Sequence, residues 1–536
     1  MALPSSCSVL VVGSGNAGFT AAVAAKQAGA EQVVLIDKCP EDWAGGNSYF
    51  TAGAYRTVHG GEEDLLPLVN NVDEATAKRI DMEPYTKQDF ANDMHRVCGG
   101  RADPQLSQVL IDDSNSTIKW LKDQGIRFQL SFNRQAYEVD GRLKFWGGLA
   151  LKTQDGGKGL IADHQANARR HGVAAYYATA LERLLTNSDT GAVEGVVVRS
   201  GSTQTQTTIR AGAVILAAGG FESNPRMRAQ MLGPGWDLAK VRGTPYNTGE
   251  VLESTVRDVH ARAVGHWSGC HSVAWDADAP SHSGDREASN EFTKSGYPLG
   301  LMVNTQGHRF VDEGVDLRNY TYAKFGRAIL MQPQQRAFQI WDQRTIPWLR
   351  VEEYRPERVR QIMADSIPEL ADKLCQEVEF GLDPSCRQTF INTIAGYNRA
   401  VGAFQAESPG KKWDPSIRDG NSTQSKAVQL DLPKSNWALP LDQPPFMAVL
   451  VTCGITFTFG GLAVNPDTAQ VLSAITDKEI PGLFCCGEML GGLFYENYPG
   501  GSGLTSGAVF GRRAGAAAAR AAAKFPEGGG DPSVPR

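Results

Sequence analysis

The chain opens on an uninterrupted apolar run, Val9-Leu10-Val11-Val12, and a second run, Val33-Val34-Leu35-Ile36, follows one helix-length later. Runs rich in β-branched residues without polar alternation predict strands buried on both faces of a parallel sheet. Between them, Asn16 to Ala28 is small and apolar and predicts a helix. Tyr85 to Gly125 carries apolar residues at three- and four-residue spacing, which predicts helices covering the sheet, with Gly125 as a stop. Residues 61–83 carry a helical pattern only in part. Leu160 to Arg170 predicts an amphipathic helix, Val173 to Tyr177 a strand and Thr179 to Leu185 a short helix. Ala192 to Arg199 and Thr205 to Arg210 predict a hairpin through Gly201, inserted before a further buried strand, Ala213 to Ala217.

From about Ala263 the pattern turns mixed, polar and aromatic. Val351 to Arg399 predicts charged helix, and residues 406–437, rich in Pro, Ser, Asp and Lys, predict an irregular segment. Strand patterns return at Phe446 to Val451 and Ile480 to Cys486, followed by a small-residue helix from Thr505 to Ala523. At 536 residues the chain is too long for one simple core, so two or three domains are expected. A net charge of −6 without any Lys/Arg block argues against a nucleic-acid partner. The nine cysteines show no Cys-x-x-Cys spacing, which predicts reduced, mostly buried thiols and no metal site. The N-terminal residues lack a basic region, and no apolar run reaches the length of a membrane span. No signal peptide, no transmembrane segment and a cytoplasmic location are therefore expected.

The chemistry begins where the first strand ends. Gly13-Ser14-Gly15-Asn16-Ala17-Gly18 is a Gly-x-Gly-x-x-Gly between strand and helix, and Asp37 closes the second strand. In this setting the glycines serve a tight turn, close approach to a pyrophosphate and helix-strand packing, and the acid stands where a ribose hydroxyl is expected. The helix N-terminus adds free N–H groups and its positive dipole end. This pattern predicts a dinucleotide site without choosing between FAD and NAD. A Gly-rich loop, Ala44 to Gly53, follows Asp37 and Lys38 and can track a cofactor closely. Later strands end on Ala218-Gly219-Gly220 and on Gly487-Glu488, and Tyr498 to Leu504 leads into the last helix, whose N-terminus again points at a site.

Taken together these pieces resemble the soluble fumarate reductase and succinate dehydrogenase flavoprotein family. The residues that carry the resemblance are Gly13 to Gly18, Asp37, Gly45-Gly46-Asn47-Ser48, Ala218-Gly219-Gly220, Gly307 to Glu313, Pro481-Gly482-Leu483, Gly487-Glu488 and Gly511 to Gly515. Arg309 to Gly314, Arg318 to Lys324, Thr456 to Gly461 and Tyr498 to Gly503 look most like the tricarballylate dehydrogenase branch. The resemblance implies an α/β fold: a Rossmann-like FAD-binding domain with an inserted hairpin, plus an α+β capping domain. The expected segments are residues 1–262 and 441–525 for the FAD domain, 263–440 for the cap and 526–536 for a disordered tail.

By the same resemblance, FAD is held by Gly13, Gly15, Asn16, Ala17, Gly18, Asp37, Lys38, Gly45, Gly46, Asn47, Ser48, Gly53, Ala218, Gly219, Glu488, Gly503 and Leu504. Covalent relatives attach FAD through a histidine beside the Gly-Gly turn; Trp43-Ala44 stand there, so non-covalent FAD is expected. Arg318 matches the arginine that exchanges a proton with substrate, one residue later than the family pattern, or else it is a carboxylate-binding or surface arginine. His271 matches a carboxylate-gripping histidine, with His266 as its competitor. Thr293, Lys294 and Tyr297 occupy the polar segment of a proton relay whose acid is not evident. Two donors to a dianion are replaced: Phe457 stands for a histidine and Tyr498 for an arginine. Tyr297 and Tyr498 either bond a carbonyl or pack as aromatics.

The resemblance thus implies an FAD-dependent dehydrogenase or reductase of a CH–CH or C=C bond beside a carboxylate or carbonyl, with hydride exchanged at flavin N5. A tricarballylate-type substrate heads the expectation. The alternatives are a ketosteroid-like ketone desaturase or ene-reductase, and a non-catalytic electron-transfer flavoprotein. No haem, quinone or Fe–S motif is present, so a separate electron partner is expected, besides a small carboxylate or enone.

Overall fold

The computed structural model describes residues 2–145, 147–201, 204–376 and 379–523. The chain divides into two units, residues 1–227, 243–269 and 457–536 in the first, 228–242 and 270–456 in the second. The sequence reading places its boundaries at 262/263 and 440/441 and does not set residues 228–242 apart. The tail expected at 526–536 lies outside the described residues.

The first unit is built on a sheet whose centre is Ser6–Val12, buried as its β-branched run predicts. It pairs in parallel with Val33–Ile36 on one side and with Gln206–Leu216 on the other, and Val33–Ile36 pairs in parallel with Ala174–Tyr176. Gln206–Leu216 changes partner along its length. Residues 206–210 pair antiparallel with Val193–Ser200, while Val214 to Leu216 pair in parallel with Leu483 to Cys485. The predicted hairpin is therefore real, but its second arm and the next buried strand are one element. Thr179 to Leu185 is no helix. It is a strand, Thr179–Thr186, antiparallel to Val193–Ser200. Its Leu, Ala, Glu and Arg favour helix locally, and the ladder to the neighbouring strand overrides that preference.

Tyr85 to Gly125 forms two helices. Lys87–Val97 starts from a Thr86–Asp89 capping box, and Pro104–Asp123 starts from Asp103, whose carboxylate accepts from Gln105 N and Leu106 N. These side chains satisfy N–H groups that have no partner within the helix. The fingerprint helix, Asn16–Gln27, packs on the closing helix, Ser502–Ala522, through small residues. Gly511 and Gly515 face Thr20, Ala24 and the carbonyls of Ala17 and Ala21.

In the second unit the sheet joins Leu301–Asn304, Ala337–Trp341, Ile362–Ala364 and the strand Phe446–Leu462 in antiparallel ladders. That last strand continues well past the predicted end at Val451. Alternation sorts the side chains: Leu301, Val303, Phe338, Ile340, Ala448 and Leu450 meet the helices Ile367–Cys375 and Arg387–Glu407. Met302, Ala337, Trp341, Val449 and Val451 share the other core with Phe325 and Ile329 of Tyr322–Leu330. The helix predicted across Val351 to Arg399 is broken into Val351–Tyr354, the strand Ile362–Ala364 and the two helices just named. Pro356 follows the first piece, and Pro368 begins the next helix behind its Ser366 cap, as proline's missing N–H requires. Residues 408–445 contain no helix or strand, in line with the irregular segment expected at 406–437.

No described helix is long and apolar enough to cross a membrane. The nine cysteines are free, and only Cys375 and Cys386 are partly exposed.

A Cβ on Gly515 would overlap the carbonyl oxygen of Ala21 and crowd Ala24. Gly515→Ala should therefore force the two helices apart and cost roughly 1–3 kcal/mol, as overpacking does. Chemical denaturation of the variant checks this; unchanged stability would mean that the small-residue seam is loose.

Candidate cofactor and active site

At the fingerprint, Gly13 has φ +111° and a Cβ there would strike the Ala217 carbonyl, while one on Gly18 would strike the Gly13 carbonyl. Gly15 differs. A Cβ there meets nothing closer than Gly45 O and Ser48 Oγ, both at 3.7 Å. The fingerprint helix begins at Gly15 with no side-chain cap and no acid in its first turn, and the closing helix begins the same way at Gly501. Two helix N-termini with uncapped N–H groups and room beside Gly15 fit an anionic pyrophosphate.

Asp37 is held in place at the end of the second strand. Its Oδ2 accepts from Ser14 N and Ser14 Oγ, both at 2.7 Å, and its Oδ1 from Cys39 N at 2.9 Å. A carboxylate retains further acceptor sites with these made. Lys38 turns elsewhere, donating to Thr248 Oγ1 at 2.7 Å and pairing with Glu250. Gly45 and Gly46 both have positive φ, and Ser48 Oγ accepts from Asn16 N at 3.2 Å. Gly53 has φ +73° and abuts Thr153 and Gly156, so packing explains that glycine.

Asn16 is used by the protein itself. Its amide donates to Leu504 O at 2.9 Å, and its oxygen accepts from Tyr55 OH at 2.7 Å and from His164 Nε2 at 2.9 Å. Burial pushes His164 down to about 3, so the ring is neutral and its Nε2 carries the proton that Asn16 accepts.

The strand ends at Ala218-Gly219 and Gly487-Glu488 carry a cluster that includes Glu222, a residue the sequence reading missed. Glu222 is wholly buried, and the amides of Asn47 and Asn247 both donate to its Oε1, the latter at 2.6 Å. Thr458 N and Oγ1 donate to Glu488 Oε1 at 2.8 and 3.0 Å. The only signal in the sequence was an acid directly after Gly219-Gly220-Phe221.

Tyr498 lies in an aromatic cluster of the same unit. Its ring sits 5.4 Å from Phe457 and 5.5 Å from Phe494, and Phe457 sits 5.2 Å from Phe459. Phe459 and Phe494 are buried, whereas Phe457, Tyr498, Gly503 and Leu504 are half-buried. Trp267, also half-buried, stacks on Phe221 at 6.0 Å. His266, the competitor to His271, is tied to this unit: its Nδ1 accepts from Glu496 N at 2.9 Å and its ring stacks on Tyr495.

In the second unit His271, Tyr297 and Arg318 come together around Thr321 and Tyr322. His271 is buried and meets Tyr322 edge-on at 6.1 Å. Tyr297 is fully buried, stacked on Phe325 at 3.9 Å, with its hydroxyl 3.0 Å from Thr321 Oγ1. Burial holds its phenol protonated, and the positive charge of Arg318 acts on it and on Tyr354. Arg318 is half-buried, and among the described residues its guanidinium makes no hydrogen bond or ion pair.

Acids that the sequence left unidentified appear here. Lys294 is fully buried, with its Nζ 3.4 Å from Asp276 Oδ2 and 2.9 Å from Glu291 O. Burial lowers the lysine's pKa and raises the aspartate's, narrowing the gap for proton exchange between them. Beside it, Glu353 accepts from Ser295 N and Oγ and from Arg350 Nη1, the last at 2.9 Å. Burial alone would lower Arg350, but Glu353 and Tyr322 more than offset it.

The sequence profile described as the FAD binding domain matches residues 8–504. The chain is 28% identical over 514 residues to a probable fumarate reductase of Shewanella frigidimarina, covering 96% of this chain and 74% of the relative. It is also 28% identical over 535 residues to a vinyl phenol reductase of Lactiplantibacillus plantarum, covering 96% of each. Among solved structures, the open conformation of a flavocytochrome c3 fumarate reductase superposes with a TM-score of 0.69 at 26% identity, over 96% of this chain and 78% of that one.

Asn16→Ala would strand the Tyr55 hydroxyl, the His164 N–H and one tie to Leu504. A loss of roughly 2–4 kcal/mol is expected from such buried unpaired groups, with weakened FAD retention. Denaturant titration together with flavin content after gel filtration checks both effects.

Proposed function

The chain belongs to the FAD binding domain family, among flavoproteins of the fumarate reductase type, and is an FAD-dependent oxidoreductase of CH–CH or C=C bonds; within that activity we propose a substrate whose reacting bond is conjugated to one carbonyl or carboxylate and carries an uncharged, ring-bearing substituent. The observation behind this reading is the aromatic cluster of Phe457, Phe459, Phe494 and Tyr498, two members of which keep partly open faces. A second carboxylate would need a cation, and this surface supplies flat apolar rings and one phenol. Rings prefer offset or edge contacts worth about 0.5–1.5 kcal/mol each beyond area burial. That weighs against a tricarballylate-type trianion. A relative matched over 96% of its length and named for vinyl phenol, a ring-bearing alkene, supports the ring-bearing part of the reading.

FAD supplies the hydride exchange at the substrate carbon. In this proposal its pyrophosphate is held by Gly13 to Gly18 and the N-terminus of Ser502–Ala522, and its ribose by Asp37. Asn47, Ser48, Ala218, Gly219, Glu488, Gly503 and Leu504 hold the remainder, without a covalent bond. Arg318 moves the proton at the neighbouring carbon; among the described residues its guanidinium makes no hydrogen bond or ion pair, which leaves it available to substrate. His271 and Tyr297 orient the substrate's carbonyl or carboxylate. Lys294 with Asp276, and Arg350 with Glu353, form the buried reserve that restores the proton. An arginine acid needs water excluded, because its pKa exceeds 12.

Three measurements test this reading. Reduced enzyme, mixed anaerobically with aryl-substituted acrylates and aryl-substituted enones, should be reoxidised at least about tenfold faster than with fumarate, the discrimination of one well-placed contact. Preference for fumarate or a tricarboxylate would overturn the ring assignment. Arg318→Met should lower turnover at least about a hundredfold, the scale of a general acid, while FAD content stays unchanged; near-normal turnover removes that role. Acid precipitation should release all yellow flavin into the supernatant, and flavin retained in the pellet would establish a covalent link.

A further inference from the structure

A buried arginine is costly to keep, and Arg56, directly after the short strand Ala54–Tyr55, is wholly buried. Its Nη1 donates to Asp93 Oδ2 at 2.9 Å and to Tyr85 OH at 2.8 Å, and Tyr85 OH donates in turn to the same carboxylate oxygen at 2.7 Å. These bonds brace a planar guanidinium whose Nε reaches the Gly500 carbonyl at 2.9 Å. The main chain of Arg56 holds the same turn: its N–H donates to Gly501 O at 3.4 Å, and its carbonyl accepts from Thr505 Oγ1 at 2.7 Å. Gly501 has φ +84°, and a Cβ there would lie 2.9 Å from Arg56 N, so the approach is close. All of these contacts fall on the start of Ser502–Ala522. Ser502 N returns to Pro499 O, whereas among the described residues the N–H groups of Gly501, Gly503 and Leu504 make no hydrogen bond. The first N–H groups of a helix have no partner within it, so water or a ligand must take them. The Gly500–Gly501 peptide is trans, with its carbonyl and its N–H pointing opposite ways, so a guanidinium that holds the one aims the other.

We propose that Arg56 is a positioning residue for the cofactor: braced by Asp93 and Tyr85, it sets the Gly500–Gly501 peptide and so aims the unpartnered N–H groups of this helix start at the negatively charged groups of FAD. The proposal rests on the reading that Ser502–Ala522 holds the pyrophosphate through its N-terminus, and it is independent of which substrate is used. Main-chain donors cannot be re-aimed by a change of rotamer, so their direction depends on whatever holds the turn. The shape of the guanidinium matters here more than its charge. With Asp93 beside it the pair is close to neutral, which leaves little net charge to act on FAD. A lysine would keep an ion pair with Asp93, but it donates from a single nitrogen and has no second position from which to reach Gly500 O.

The test uses FAD-loaded enzyme, wild type and the variants Arg56→Lys, Arg56→Met/Asp93→Leu and Gly503→Pro, with flavin release on dilution followed by fluorescence and folding checked by circular dichroism. Arg56→Lys keeps the charge and loses the fork. The double variant removes both charges together, which spares the fold the unpaired buried carboxylate that Arg56→Met alone would leave. Gly503→Pro deletes one N–H in the first helical turn, where proline is tolerated, and leaves the contacts of Arg56 in place. The FAD dissociation constant should rise at least about tenfold in all three, the scale of one lost hydrogen bond to a charged group. An Arg56 needed only to neutralise Asp93 would be rescued by lysine or by joint removal, and wild-type affinity in either variant would overturn the proposal. Wild-type affinity in Gly503→Pro would show that this helix start does not hold FAD, and the underlying reading would fall with the proposal. Weakened binding in Gly503→Pro beside wild-type affinity in both Arg56 variants would overturn the role of Arg56 alone. Should the double variant not fold, Arg56→Lys decides.

Discussion

Three separate pieces of the first unit meet on one amide. The side chain of Asn16 stands at the start of the fingerprint helix, accepts hydrogen bonds from Tyr55 and His164, and donates one to the main chain at Leu504. A buried amide with one donor and two acceptor bonds satisfied has little freedom to rotate, and low local polarity strengthens each bond. The starts of the fingerprint and closing helices are thereby set by the same group. Their packing along Gly511 and Gly515 then follows, and so does the space beside Gly15. A site that binds phosphate by main-chain N–H groups has no side chains with which to correct an error in helix placement.

Buried charge is handled both by pairing with an opposite charge and by hydrogen bonding. The second unit pairs its acids with cations: Asp276 with Lys294, Glu353 with Arg350 and Glu313 with Arg309. Such pairs place each of these buried acids beside a cation, so each pair stays close to neutral. Arg318 stands apart from them as a half-buried guanidinium without a fixed partner among the described residues. The first unit pairs the buried Arg56 with Asp93, and gives Glu222 and Glu488 amide, hydroxyl and main-chain donors. Desolvation is expensive in both arrangements, and each limits the cost with hydrogen bonds.

Local patterns were legible where one interaction dominates. Val9 to Val12 and Val33 to Ile36 are strands because they are buried on both faces, and their composition records that burial. The glycines at 13, 15 and 18 carry their roles in their spacing. Thr179 to Thr186 was illegible because its residues prefer helix, and only the ladder to Val193–Ser200 makes it a strand. The helix read from Val351 onwards failed at Pro356, Pro368 and Pro384, although each proline was visible. At the site, Asp37 and Glu488 could be found from strand ends. Glu222, Asp276 and Glu353 could not, because their importance lies in partners dozens to hundreds of residues away. Aromatic residues at 457 and 498 were visible singly, and their assembly with Phe459 and Phe494 was not.

The strand Gln206–Leu216 has a consequence for how this architecture tolerates change. Its first half belongs to the antiparallel hairpin and its second half to the parallel core, with no break between them. The register of Val214 to Leu216 against Leu483 to Cys485 fixes Gly219 and Gly220 regardless of what is grown on the other end. The other end of the hairpin answers to a different address: Gly201 N donates to Ala178 O at 2.6 Å, and the next residue, Thr179, donates its N–H to Asp37 O at 2.8 Å, so a change in the hairpin reaches the nucleotide end of the sheet before it reaches the glycine turn.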